Sequence, residues 1–528
     1  MQRSNDAVKK QGSRIWVTFA LIFLGFVIFR VSWICDDAYI TFRSIQNFIN
    51  GYGLVYNVGE RVQSFTHPLW MLLLSTLYFV VSKIAGINFP SQLPMIVIVL
   101  SWVMSLSAVL VFAIAHKDRP SASILGLLIL ASSKAFTDFA AAGLENPLTY
   151  LLIAVFYWRF FLLFHEESSI RPIDLFIMSF IVGLSILNRM DTVLIFLPAL
   201  VTLWWSKPNK LKGALTIIAG FFPFILWELF STFYYGFPFP NTAYAKLNSG
   251  ISAGAYVHQG FMFFLNSISL DPITLLTIMT AGVALIVLRE KRFLPVTLGL
   301  WLYLFYILRI GGDYMSGRFL STLVFLSVMT IAYMDLEWNT IALPASILIL
   351  LFGLITQTAP FLSDSSYEDT FIDNNGIANE RGFRYQEWGF LRMNRNRLLP
   401  DSPYANKGWT IDGSRDIVES GAIGLQGYIQ GPNVHILDVM ALTDPLLSRL
   451  PARDRVHWRT GHIERLIPEG YRETLLTGEN RISDPNLKEY YDYLSLVTQG
   501  PLWDRNRVIT IWRFMIGAYS DLLDSYVN

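Results

Sequence analysis

Apolar runs of membrane-crossing length recur along this chain, and they restrict its fold more than any other feature. They lie at 15–34, 94–115, 121–135, 146–163, 172–187, 192–206, 213–231, 272–288, 294–309, 319–333 and 339–357. In hydrocarbon a backbone amide must find its partner within its own helix, so these runs predict about eleven transmembrane helices. A chain with 53% hydrophobic and only 15% charged residues is too apolar for an ordinary soluble enzyme. Its formal charge of +1 offers no basic face for nucleic acid. One cysteine, Cys35, cannot make an internal disulfide or a thiolate metal cage. The first run lacks a small-residue cleavage site and exceeds a signal-peptide core, which predicts that it is retained.

Charge sets the expected topology. Arg3, Lys9, Lys10 and Arg14 precede the first run and place the amino terminus in the cytoplasm. A twelfth apolar stretch, 68–85, would put Lys117, Arg119, Lys207, Lys210, Lys212, Arg289, Lys291 and Arg292 outside if it spanned. That inverts the positive-inside pattern, so 68–85 reads as a re-entrant or juxtamembrane helix on the outer face. The expected organisation is a transmembrane domain over 1–359, with its first outer loop at 35–93, and an extracytoplasmic domain over 360–528. In the latter, turn residues rise and short apolar pieces such as Val434–Leu437 read as strands, with helices near 486–496 and the carboxyl end. The fold class expected is thus an α-helical polytopic membrane protein with a carboxy-terminal mixed α/β domain. No repeat is visible.

With this topology the unusual polar residues collect on the outer face. Asp36 and Asp37 stand at the mouth of the first span, where ionised residues are costly and mark reaction sites or pathways. Glu145, Arg189, Asp191, Lys246, Asp313 and Arg318 lie in other outer loops. Transfer from a lipid-linked donor to a hydroxyl needs a carboxylate to accept a proton and cations to neutralise a departing phosphate. Asp36 or Asp37 suits the first role; Arg189, Lys246 and Arg318 suit the second. Tyr39, Tyr244 and Tyr314 offer faces and hydroxyls to a sugar. Glu145, Arg189, Asp191 and Asp313 equally suit ion pairs that stitch helix ends together. His67, before Pro68, reads as a loop histidine, and His435 as a packed one. Divalent ions ask for more oxygen ligands than an aspartate pair supplies, which points to a metal-independent reaction. No phosphate-cradling glycine loop follows a strand, so a cytosolic nucleotide-sugar has no support.

The segments Asp36-Asp37-Ala38-Tyr39-Ile40-Thr41-Phe42-Arg43, Gly51 to Asn57 and Thr66-His67-Pro68-Leu69-Trp70 resemble the first outer loop of GT-C glycosyltransferases, in particular the terminal arabinofuranosyltransferases of bacterial cell envelopes. The resemblance continues through Gly143-Leu144-Glu145, Asn188-Arg189-Met190-Asp191, Pro240 to Lys246 and Gly311 to Arg318. In the last third it includes Glu380-Arg381, Asp438, Leu442 to Pro445 and Pro468 to Tyr471. It implies a polyprenyl-phosphate sugar donor, a glycan, lipid or protein acceptor, and transfer on the outer face of a bacterial inner membrane. It also implies Asp36 as catalytic centre with Asp37 beside it. The donor-phosphate or sugar-binding set is then Tyr39, Arg43, His67, Glu145, Arg189, Asp191, Asn241, Tyr244, Lys246, Asp313 and Arg318. Met190 departs from the pattern, which more often has proline after the arginine. A flippase or transporter is the competing class, although its usual repeats and midplane charges are missing from the sequence. A ligase moving a whole glycan from a polyprenyl diphosphate is chemically close.

Overall fold

The structure, a computed structural model, describes residues 2–86, 92–165, 170–288, 290–334, 336–356, 359–362, 372–392 and 416–527. Helices occupy every apolar run, and several begin at a proline. Pro68, Pro120, Pro172 and Pro272 each sit in a first turn, where the missing N–H costs nothing and the fixed φ suits a helix.

The chain folds into two compact units. The first comprises Met1–Cys35, Pro94–Pro223 and Gly254–Leu398. Among the described residues, four helical segments are long and apolar enough to cross a membrane: Arg14–Val31, Leu93–Ala115, Asn146–Phe164 and Trp338–Ile355. Two bent helix pairs raise the number to six. One is Ala253–Leu270 with Pro272–Ala284, bent by 114° at a break at Asp271. Pro120–Ser132, Pro172–Asn188, Met190–Trp205, Leu294–Arg309 and Arg318–Ile331 are shorter. At 1.5 Å per residue, a helix of thirteen residues reaches about 20 Å, short of a hydrocarbon layer of about 30 Å. Arg318–Ile331 is buried almost throughout, so its shortness goes with a place inside the unit.

The second unit comprises Asp36–Leu93, Phe224–Ala253 and Leu399–Asn528. Two parallel strands, β1 (Asp416–Ser420) and β2 (Val434–Asp438), pair in register from Asp416 opposite Val434 to Ser420 opposite Asp438. Parallel neighbours require a crossover, and the helix Leu425–Gln430 lies on it. β2 is buried along its whole length, while β1 is largely open. Leu437, Leu446, Leu447, Tyr471, Leu487 and Leu494 form the main core. A smaller cluster joins Ile40 and Tyr56 to Ile423, Val434 and Ile436, so residues of the first loop and of the last third share one interior. Helix Pro68–Phe79, continued by a wider turn over Val80–Ile84, belongs to the same unit.

Candidate active site

Asp36 and Asp37 occupy the first turn of the helix Asp36–Ile49, where aligned peptide dipoles favour negative charge. Both are partly exposed. The Asp36 carboxylate is positioned by the backbone: its Oδ1 accepts the Leu425 N–H at 3.0 Å. Gly424 lets that approach happen. A methyl group on Gly424 would fall 2.3 Å from Asp36 Oδ2 and from the Asp36 carbonyl oxygen, far inside contact distance.

Behind this turn the helix is fastened by Arg43, which is wholly buried. Its Nε donates to the Tyr56 carbonyl at 2.7 Å and its Nη2 to the Val434 carbonyl at 2.6 Å, while Nη1 donates to the Gly427 carbonyl. Burial lowers the Arg43 pKa and raises that of Tyr56, over whose ring the guanidinium lies at 4.6 Å. Tyr39 is buried against Phe42 and Tyr428. His67 is buried as well, and its Nε2 lies 2.8 Å from the Thr41 hydroxyl on the same helix.

Asn241 opens the helix Asn241–Leu247 and clamps the loop that follows β2. Its amide nitrogen donates to the carbonyls of Ala441, Leu442 and Asp444 at 3.1, 3.3 and 2.9 Å. Its amide oxygen accepts from Ser448 and Arg449, both at 3.0 Å. Ala441, at φ 62°, is the one non-glycine residue with positive φ among the described residues, so the clamp holds a strained turn. The Arg449 guanidinium lies over the adjoining rings of Phe237 and Tyr244, at 4.4 and 4.7 Å. Burial raises the Tyr244 pKa. Lys246 is exposed.

Two further carboxyls complete this loop. Asp438 accepts from the Met440 and Thr443 amides and the Thr443 hydroxyl. Asp444 accepts from the Leu446 and Leu447 amides and the Tyr471 hydroxyl. Burial pushes Asp438 up to about 6 and Asp444 up to about 7. The motif Leu442-Thr443-Asp444-Pro445 is visible in the sequence; the role of its aspartate as a turn-former is not, because it depends on amides two and three residues on.

The remaining candidates meet in the first unit. Arg189 forks onto Asp191, with Nε 2.8 Å from Oδ1 and Nη2 2.9 Å from Oδ2, and its Nη1 reaches Glu145 at 3.2 Å. Arg318 approaches the same Glu145 oxygen at 3.4 Å and Asp313 at 3.6 Å. Tyr303 donates to Asp191 at 3.2 Å. The Arg189 guanidinium also covers the Phe319 ring at 4.0 Å. Gly317, at φ 77°, caps the helix that Arg318 begins, and a methyl there would meet Ala135 at 2.9 Å. The cluster therefore joins the ends of four helices: Asn146–His165, Pro172–Asn188, Leu294–Arg309 and Arg318–Ile331. Sequence reading missed a second buried network in this unit, Lys134 with Asp138 at 2.6 Å and Arg381 on the other oxygen of Asp138. The i, i+4 spacing of Lys134 and Asp138 was its one signal. Among the described residues no three His, Cys, Asp or Glu side chains gather as a cation site.

No family model matches this chain. The terminal beta-(1->2)-arabinofuranosyltransferase of Mycobacterium tuberculosis is 23% identical to it, over 86% of this chain and 84% of that protein. The terminal beta-(1->2)-arabinofuranosyltransferase of Corynebacterium glutamicum is 25% identical, over 88% of this chain and 70% of that protein. Across most of its length, then, this helical membrane chain is a relative of two terminal arabinofuranosyltransferases.

Proposed function

We propose that this protein is a membrane glycosyltransferase that moves a sugar, arabinofuranose by its relatives, from a polyprenyl-phosphate donor to a glycan acceptor on the outer face of the inner membrane. The observation that carries the reading is the Asp36 carboxylate, partly exposed and fixed by a backbone amide against a glycine that leaves it room. A general base needs such a fixed position with access to its proton. The similarity to two arabinofuranosyltransferases supplies the reaction class.

In the inverting version, Asp36 takes the proton of the acceptor hydroxyl as that oxygen bonds to the anomeric carbon. The bond from that carbon to the phosphate oxygen breaks, and polyprenyl phosphate leaves with its electron pair. Lys246, exposed on its helix, supplies positive charge to the leaving phosphate. Asp37 holds the acceptor alongside. Arg43 and Asn241 act as positioning residues, because their donors are spent on backbone carbonyls. Arg189 and Arg318 face three carboxylates between them, so their cluster suits hydroxyl groups and helix-end fastening better than a phosphate dianion.

Purified full-length protein, given a polyprenyl-phosphate arabinose carrying a labelled sugar and an arabinan oligosaccharide, should form a new glycosidic bond. Movement of the lipid across a vesicle with no glycoside formed would instead establish a flippase. Transfer of a preassembled glycan from a diphosphate donor alone would establish a ligase.

A further inference from the structure

The helix Arg505–Met515 is two-sided in a way the transfer reaction does not use. One side faces the interior of the second unit: Arg507, Thr510 and Ile511 are buried, and Phe514 packs on Phe237 and Tyr490. The other side carries Val508, Ile509, Trp512, Met515 and, at the cap, Ile516, all exposed, at the i, i+1, i+4, i+7 and i+8 spacing of one helix face. Trp503, just before the helix, is 86% exposed and Trp512 is 60% exposed. Arg505 and Arg513 flank the stripe and are exposed too.

What lies next to this face identifies its partner. The Arg507 guanidinium donates to the Phe233 carbonyl at 2.8 Å and to the Tyr234 carbonyl at 2.9 Å, the last turn of the apolar helix Phe222–Tyr234. The Trp503 ring stands 4.8 Å from that of Phe233. The helix so capped presents its own exposed apolar stripe, Leu226, Leu229 and Phe230, and forms half of a bent pair apolar enough to cross a membrane. The helix Arg505–Met515, with its open apolar face, is thus anchored at the carboxyl end of an apolar helix that forms half of a membrane-crossing pair.

We propose that Arg505–Met515 is an interfacial helix, seated in the outer headgroup layer with Trp503 and Trp512 at the boundary of the acyl chains. Tryptophan prefers that boundary, and short amphipathic helices with arginine beside an apolar stripe lie along it. The occupant is lipid and not a second copy of the chain, because the helix is anchored at the end of an apolar helix belonging to a membrane-crossing pair, and its stripe is bordered by cations that suit phosphate headgroups.

The test uses the full-length chain in lipid nanodiscs, with a fluorophore on a single introduced cysteine. Trp512→Cys is the probe, and Glu479→Cys, at a side chain 75% exposed, is the aqueous reference. Cys35 is buried and is replaced by serine in both. Doxyl groups placed high on the lipid chain should quench the label at 512 several-fold more than the label at 479, and aqueous iodide should show the reverse order. Equal iodide access at both positions overturns the proposal. So does shielding of position 512 that follows protein concentration without lipid quenching, which would assign the face to a second copy. Ile516→Cys repeats the measurement with both tryptophans intact, so a folding defect in Trp512→Cys cannot decide the result.

Discussion

Asp36 is held by contacts that can each be removed singly. Its carboxylate takes one backbone amide, and the residue it leans on has no side chain. Gly424→Ala should push that carboxylate aside and lower kcat by about 10²-fold, the scale of a misplaced reacting group, with little change in KM. Gly254→Ala is the control, since nothing stands within 4 Å of a methyl there. Unchanged kcat in Gly424→Ala would remove this contact from the mechanism. Arg43 makes a different prediction: Arg43→Met removes the side-chain donor from the buried Gly427 and Val434 carbonyls, while the Tyr56 carbonyl keeps Asn47, and should cost about 2 kcal/mol or more, read as a lower Tm. The aspartate pair was legible in the sequence because its place after a span and its neighbours up to Arg43 form a recognisable order. Arg43 read as a ligand contact, since sequence does not reveal that its partners are carbonyls at positions 427 and 434.

At the level of elements, the loop after β2 links chemistry to stability. Asp438 and Asp444 ordinarily titrate near 3.8; burial raises them to about 6 and about 7. Between these values and the ordinary one, the folded state holds protons that the unfolded chain has released, so stability falls as pH rises. Thermal unfolding of the intact protein should show Tm declining from about pH 4 to about pH 7. Asp444→Asn should flatten that decline; a Tm that rises over this window would contradict the assignment. Asn241→Ala should loosen the same loop, costing about 2 kcal/mol through its carbonyl bonds. The strand at 434–438 was readable as a short apolar piece between turns, and the helix Pro485–Gln499 was placed near 486–496. The crossover helix Leu425–Gln430 was not, because six residues carry too little periodicity.

For the whole molecule, composition revealed a helical membrane protein, but linear order did not reveal its grouping. The first loop and residues 224–253 share a compact unit with the last third of the chain, an arrangement made by contacts hundreds of positions apart such as Arg43 with Val434. Span number was the least legible quantity, since apolar runs end wherever a proline starts the next helix, whatever the membrane's thickness. The sidedness expected from the positive-inside pattern is testable: cysteines introduced at the exposed positions 50 and 479 should react with an impermeant maleimide added to intact cells, whereas one at 209 should react only after lysis, and the reverse order would contradict it. Asp36, as the base of a sugar transfer, is the residue on which the proposed reaction turns. The most direct measurement is the initial rate of labelled arabinofuranose transfer from its polyprenyl phosphate by purified wild-type and Asp36→Asn proteins at matched folded concentration. A loss of about 10²-fold or more, with donor binding retained, is the predicted result; a variant that transfers at the wild-type rate would contradict it.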